Sequence, residues 1–570
     1  MTLEEKQPTR FRSGLTKSSC LAAIYATVIF IPALMYLELM TGLSGFPVAW
    51  FTLLLWVKLS ELTGRKLTKQ EAFLVFTLAG IEFLPLYYVQ RTWYRTSGIA
   101  EFFGLTQEFP NWWVPPLGSG AFDVVGGGVR GTLFHPDWVL PITVTLTWLV
   151  ISIFLSISLG YFARELFVEE ERLSFPIEQM NAVSIVAVTG EERRPMRILS
   201  VFAIFGFIWG FLVYASPFIL QAWLGRLIQW IPIPWIDLNK RVQVFFPGAI
   251  LGILTDLIPY AIGLVIPFNA AVGMAAGSLA VYFFGNWLTV KYNLSPVPWW
   301  EPDMSIAVAG QRCVLYFWST IVIGVGLAAG LAPLMHRPGI LKRAFSRMLH
   351  STTGSKKRLS DAVSFGKFIL LPLIATIVAG TALFVILVPH FVMANPWILP
   401  FIMLMPIVTT LVTGRMRAET GVEEFPVGNM RNIMFLATGY RTADAWLAPN
   451  PFQTGGRAWL TRFKIAELTE TSSTSVVKAY LLLLPVTVVF SLVYIDLLWR
   501  MGPIPSARYP GAAAIWPIDV TYTSLWIKGG RAFFPTTWIF YSFLGATGIY
   551  FALTLLKVPV SLIGIGVGVG

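Results

Sequence analysis

The chain has 570 residues, 55% of them hydrophobic and 13% charged, with a mean hydropathy of +0.68. That balance excludes an ordinary soluble domain and points to an integral membrane protein. The net charge of +12 would suggest nucleic acid in a soluble chain, but in this class the Lys/Arg excess belongs on cytoplasmic loops, and no nucleic-acid partner is expected.

Apolar stretches near the ~20 residues that cross hydrocarbon fall at roughly 20–40, 46–62, 71–89, 138–163, 198–222, 245–266, 268–289, 313–335, 366–394, 396–414, 479–499 and 533–556. They predict an all-α, polytopic fold of about twelve transmembrane helices with short re-entrant or interfacial helices between them. The expected organisation is a cytoplasmic tail over 1–19, two pseudo-symmetric transmembrane halves over 20–266 and 267–556, and an apolar, glycine-rich end over 557–570. Residues 558–570 are too short to span; they read as a re-entrant or interfacial piece or as an incomplete terminus, the second being favoured. With the N-terminus in the cytoplasm, 30 of the 42 Lys and Arg residues lie on the cytoplasmic side of this map, so a multi-pass cell-membrane protein with that orientation is expected.

Residues 20–40 are too long for an ordinary signal core and lack a clear small-residue exit site, so the first helix is expected to remain. Cys20 and Cys313 fall at opposite faces of the map, which excludes an intramolecular disulfide. His135, His336, His350 and His390 are scattered without paired spacing, and no protein-held metal is expected.

Charge inside hydrocarbon is costly, so each ionisable residue within a span is a functional candidate. Asp256 leads, near the middle of 245–266 and beside Pro259, which removes a helical hydrogen bond; an acid at a helix break suits a proton or cation site. Glu82 follows, while Glu38 and Asp496 lie nearer a boundary and are expected to reach water. Between the sixth and seventh predicted spans, Pro267 and Asn269 open an uncharged turn beside the small residues Gly273 and Gly277. Close helix packing accounts for the glycines, and Asn269 is a candidate for solute contact.

One short pattern occurs twice. Phe175-Pro176-Ile177-Glu178-Gln179-Met180 recurs as Phe425-Pro426-Val427-Gly428-Asn429-Met430, each copy following a spanning segment and a charged approach: Glu169-Glu170-Glu171-Arg172 in the first, Arg415-Met416-Arg417-Ala418-Glu419 in the second. Proline suits the first position of a helix, so each copy predicts a short helix too short to cross. If such stubs dip between the long spans, their free N–H groups favour an anion, with Gln179, Asn181 and Asn429 close by; connectors lying along the cytoplasmic surface would look much the same. Glu169 and Glu419 align when the two Phe-Pro pairs are superposed. Arg164, Arg415 and Arg417 either pair with Glu165, Glu169 and Glu419, or Arg415 and Arg417 bind solute carboxylates.

With Glu169-Glu170-Glu171-Arg172-Leu173-Ser174-Phe175-Pro176, Arg415-Met416-Arg417-Ala418-Glu419-Thr420-Gly421, Tyr509-Pro510-Gly511 and Trp516-Pro517 in view, the chain resembles the oligopeptide transporter family, which includes the yellow-stripe metal-chelate carriers, as a distant prokaryotic relative. The resemblance implies a secondary carrier, commonly proton-coupled, for small peptides or peptide-like metal chelates. It places solute binding on Phe175, Pro176, Phe425 and Pro426 and assigns weight to the acids before them, Glu169 and Glu419.

No Gly-x-x-x-x-Gly-Lys-Ser/Thr loop occurs, so this chain is not expected to hydrolyse ATP, and no cofactor is expected. His-Glu-x-x-His and Gly-x-Ser-x-Gly are also missing, so an enzyme is not expected. The sequence-level expectation is a non-enzymatic carrier working by alternating access, with lipid, protons and a small peptide or chelate as partners and homo-oligomerisation left open. The alternatives are a membrane-embedded transferase-type enzyme or a non-transporting subunit of a larger complex.

Overall fold

Apolar runs close their own backbone hydrogen bonds as helix, the economical course in hydrocarbon, and 74% of the residues that the structure describes are helical. The computed structural model describes residues 11–42, 47–81, 83, 85–190, 193–225, 228, 230–232, 235–295, 298–336, 338–339, 343, 366–421, 428–452, 455–529 and 537–555. Among these, strands are confined to two short antiparallel pairs, Phe122–Val125 with Gly128–Gly131 and Trp235–Asp237 with Gly252–Leu254.

Nine helices among the described residues are long and apolar enough to cross a membrane: Lys17–Thr41, Pro136–Glu170, Met196–Ala215, Phe268–Lys291, Ile306–His336, Leu370–Leu387, Ile398–Thr420, Ser473–Met501 and Thr537–Leu555. The protein is therefore an all-α membrane protein by composition and architecture. Four of these helices are widened by π-helical turns, at Glu165–Glu170, Phe211–Ala215, Leu279–Gly285 and Val314–Trp318, each of which breaks the regular i to i−4 ladder.

Three of the twelve apolar intervals take other forms. Residues 46–62 supply only the 15-residue helix Val48–Leu62. Residues 71–89 fall on two helices, Lys69–Ala79 and Leu86–Thr96, separated at Gly80 and Pro85. Residues 245–266 are not one helix: turns around Pro247-Gly248 lead into the strand Gly252–Leu254 and the eight-residue helix Ile258–Val265. A window average of hydropathy cannot see these breakers, because glycine and proline act on the backbone and leave the average nearly unchanged.

The chain divides into two compact units, one of Met1–Glu170, Lys342–Thr410 and Met434–Gly530, the other of Glu171–Leu341, Leu411–Ile433 and Arg531–Gly570. In the first, Lys17–Thr41 packs on Ser473–Met501, with Thr27 and Thr487 hydroxyls 3.3 Å apart and the Tyr494 hydroxyl donating to the Val28 carbonyl at 3.0 Å. Pro136–Glu170 packs on Leu370–Leu387 through Leu155, Leu159, Leu373 and Ile377. It also receives the helix Gly456–Leu468 against Gly160, where a Cβ would stand 2.4 Å from the Trp459 Cβ and 2.9 Å from the Gly456 carbonyl oxygen. Only glycine admits that approach.

Asp496 is buried at the end of Ser473–Met501 instead of reaching water. One carboxylate oxygen accepts from the Thr132 hydroxyl and the Leu133 N–H, both at 2.7 Å, and the other meets Arg500 Nε at 2.7 Å. In the second unit, Ile306–His336 packs along Thr537–Leu555, and Trp299, Met304, Ala309 and Cys313 form a separate apolar cluster.

Candidate functional site

The first Phe-Pro segment lies in the second unit and is clamped to the end of Ile398–Thr420. Arg172 and Phe175 take left-handed backbone conformations, φ 52° and 47°, which cost a non-glycine residue about 1–2 kcal/mol. The surroundings hold Phe175 there: its N–H donates to the Ala418 carbonyl at 2.8 Å and its ring is fully buried. Pro176 then opens the helix Pro176–Val188 at the position where its missing N–H goes unused. Gln179 folds back, its Nε2 donating to the Ser174 carbonyl at 2.6 Å. Beneath the helix, Gly421 at φ 77° would place a Cβ 2.5 Å from Ile177 Cγ1, so a side chain there would push the segment away.

Two arginines fix the charges of this clamp. Residues two apart on a helix point to roughly opposite sides at about 100° per residue, so Arg415 and Arg417 find different partners. Arg415 Nη1 contacts both carboxylate oxygens of Glu171, at 2.9 and 2.7 Å, and Arg415 Nη2 meets Glu419 at 2.7 Å, one helical turn on. Arg417 Nε donates to Glu178 at 2.7 Å, and its Nη1 donates to the Gly421 carbonyl. All five side chains are 9% exposed or less, so the pairs stand nearly free of solvent screening. Among the described residues three carboxylates face two guanidiniums in these pairs, and a proton on one carboxylate would balance them. Glu178 Oε2 and Glu419 Oε2 have no hydrogen-bond partner among the described residues.

The first unit holds a second cluster. Arg164 contacts Glu165 at 3.3 Å, Glu169 at 2.8 Å and Glu467 at 3.9 Å, and Glu170 meets Arg343 at 3.3 Å. Glu467 belongs to Gly456–Leu468, whose N-terminal end packs at Ser156 and Thr410: Gly455 N–H donates to the Ser156 hydroxyl at 2.8 Å, and a Cβ on Gly456 would stand 2.6 Å from the Thr410 hydroxyl. Thr410 is about halfway along its 23-residue helix, so a short helix begins in the middle of longer ones, as discontinuous membrane helices do.

The remaining sequence candidates are dispersed. Asp256 is a correction: it is half-buried in the loop between Gly252–Leu254 and Ile258–Val265, not within a spanning helix, with the Tyr214 hydroxyl nearby. Asn269 is half-buried at the second position of Phe268–Ser278, and Asn181 is half-buried on Pro176–Val188. Glu82, Phe425 and Pro426 lie outside the described residues, as does the side chain of Asn429, whose backbone belongs to Gly428–Thr438. Glu171 and Glu178 were assigned no role of their own in the sequence, and Glu467 was not singled out. The signal for the first two was their place within the repeated segment and its acidic approach; nothing marked Glu467, which reaches Arg164 only through tertiary packing. Among the described residues no group of three or more His, Cys, Asp or Glu is placed to hold a metal ion.

Compared with known proteins, the chain matches no family model and no curated protein.

Proposed function

We propose that the chain is a secondary active carrier of small peptides or peptide-like metal chelates, working by alternating access and driven by protons. The observation that carries this reading is Gly456–Leu468, a helix that starts beside the midpoint of Ile398–Thr420 and against Ser156 of Pro136–Glu170. Interrupted helices expose backbone groups within hydrocarbon at a cost of several kcal/mol unless they line a cavity or a neighbour satisfies them, and carriers use them to build solute sites. The excess carboxylate among Arg415, Arg417, Glu171, Glu178 and Glu419 supports proton coupling, with Glu419 as its seat.

The proposal includes twelve crossings of the cell membrane, with 46–62, 71–89 and 245–266 crossing as short or broken segments and the N-terminus in the cytoplasm. The Lys/Arg asymmetry favours that orientation. It also includes pseudo-symmetric halves: in both copies of the repeat a long helix ending in charged residues is followed by a short one, Pro176–Val188 and Gly428–Thr438. Homo-oligomerisation is compatible with the reading and is not required by it.

The test is uptake by purified protein in proteoliposomes, screening di- to hexapeptides and metal chelates with and without an inward proton gradient. Gradient-stimulated accumulation of at least one class is expected. Protein-independent leakage alone across the whole panel would overturn the reading.

A further inference from the structure

A cavity of about 420 Å³ opens in the first unit beside the N-terminal end of Gly456–Leu468, lined by Trp148, Ser152, Ser156, Trp459, Arg462 and Tyr480 among others. Its volume lies in the range of small-molecule sites, about 300–1,000 Å³. The Arg462 guanidinium sits over two of its rings, 5.1 Å from the Trp459 centroid and 5.2 Å from that of Tyr480, and the rings themselves meet edge to face at 4.9 Å. No carboxylate among the described residues pairs with it, whereas Lys464 and Arg164 nearby are both paired. Stacking on aromatic faces offsets some of the cost of a cation held among apolar helices, but leaves its five fork-like donors without an anion.

The Pro136–Glu170 side of the cavity supplies acceptors. The Ser152 hydroxyl donates to the Leu149 carbonyl at 3.0 Å, and the Ser156 hydroxyl donates to the Ser152 carbonyl while accepting from Gly455 N–H. Ser152 Oγ has spent its proton and keeps lone pairs for an incoming donor. Trp148, Trp459 and Tyr480 furnish apolar walls.

We infer that this cavity binds a small organic carboxylate with an apolar body and at least one N–H donor, the carboxylate on Arg462 and the N–H on Ser152. N-acylated amino acids and the C-terminal ends of short peptides have that chemistry. The site shares no residue with the Arg415 and Arg417 clusters, and binding to it needs no gradient, so a chain that binds without transporting keeps this inference and loses the carrier reading.

The experiment is calorimetric titration of the full-length protein in neutral detergent with N-acetylphenylalanine and with its uncharged amide. The acid is expected to bind, and the amide to bind about ten- to a hundredfold more weakly, the loss of a charge-assisted pair. Arg462→Gln is expected to abolish the discrimination. Ser152→Phe, which leaves the guanidinium in place and fills the cavity, is expected to abolish acid binding while the gel-filtration profile stays that of the parent, so the test survives if Arg462→Gln does not fold. No binding of the acid, equal binding of acid and amide, an unaffected Ser152→Phe, or displacement of the acid by micellar phosphatidylglycerol at equimolar amounts would each overturn the inference.

Discussion

Arg417 and Glu178 meet at 2.7 Å although 239 residues separate them in the chain, and both are buried. Breaking such a pair from one side leaves a charge without its partner, a loss of about 3–5 kcal/mol, whereas exchanging both members for apolar residues is often neutral. Glu178→Gln is expected to lower the thermal midpoint in detergent strongly. The double change Arg417→Met with Glu178→Leu is expected to recover much of that loss. Equal losses in the single and double variants would remove the pairing argument.

Asp496 ties the Thr132-Leu133 segment to Ser473–Met501 by accepting from the Thr132 hydroxyl and the Leu133 N–H, and it pairs with Arg500 on its own helix. Asp496→Ala strands a buried N–H and is expected to cost about 2–3 kcal/mol. Scanning calorimetry measures the change, and hydrogen exchange at residues 130–134 should rise with it.

Gly160 admits the short helix Gly456–Leu468. Gly160→Val drives two backbones apart and is expected to destabilise by more than about 2 kcal/mol, the cost of overpacking plus lost contacts. A cysteine cross-link between Ser156 and Gly455 sites should form readily in the parent protein and fail in this variant.

Coupling is tested by Glu419→Gln, which leaves two carboxylates against two guanidiniums. Gradient-driven uptake is expected to fall by about tenfold or more, as for loss of an intramembrane proton carrier, while solute counterflow without a gradient persists. If Asp256→Asn flattens the pH dependence of uptake and Glu419→Gln does not, the proton travels by way of Asp256 instead.

Much of this architecture is written in hydropathy. Nine of the twelve apolar intervals are long helices, because uninterrupted runs such as 138–163 and 479–499 have no other way to satisfy their backbone. Two of the three exceptions trace to single residues: Gly80 and Pro85 divide the third interval, and Pro247, Gly248 and Pro259 refashion the sixth. Asp256 moved out of the helix for that reason, since its apparent burial came from its neighbours' side chains and not from the backbone path. The charged clamp was half legible. Arg415, Arg417 and Glu419 stood out as charges at the end of an apolar run, but the pairing of Glu171 with Arg415 and of Glu178 with Arg417 depends on the left-handed turn at Phe175. No propensity scale anticipates that conformation in a phenylalanine.

The groove at Ser156 and Gly160 also has a history. Its partner Gly455 is made 299 residues later, a delay of about 15–60 s at ordinary ribosomal speeds of ~5–20 residues per second. Throughout that interval Pro136–Glu170 carries a glycine notch and the Ser156 hydroxyl facing lipid or the insertion machinery. The first unit is thus finished by late-arriving segments, so truncation before residue 468 removes a wall of an early-born helix's pocket, and a chaperoning insertase has a defined surface to shield.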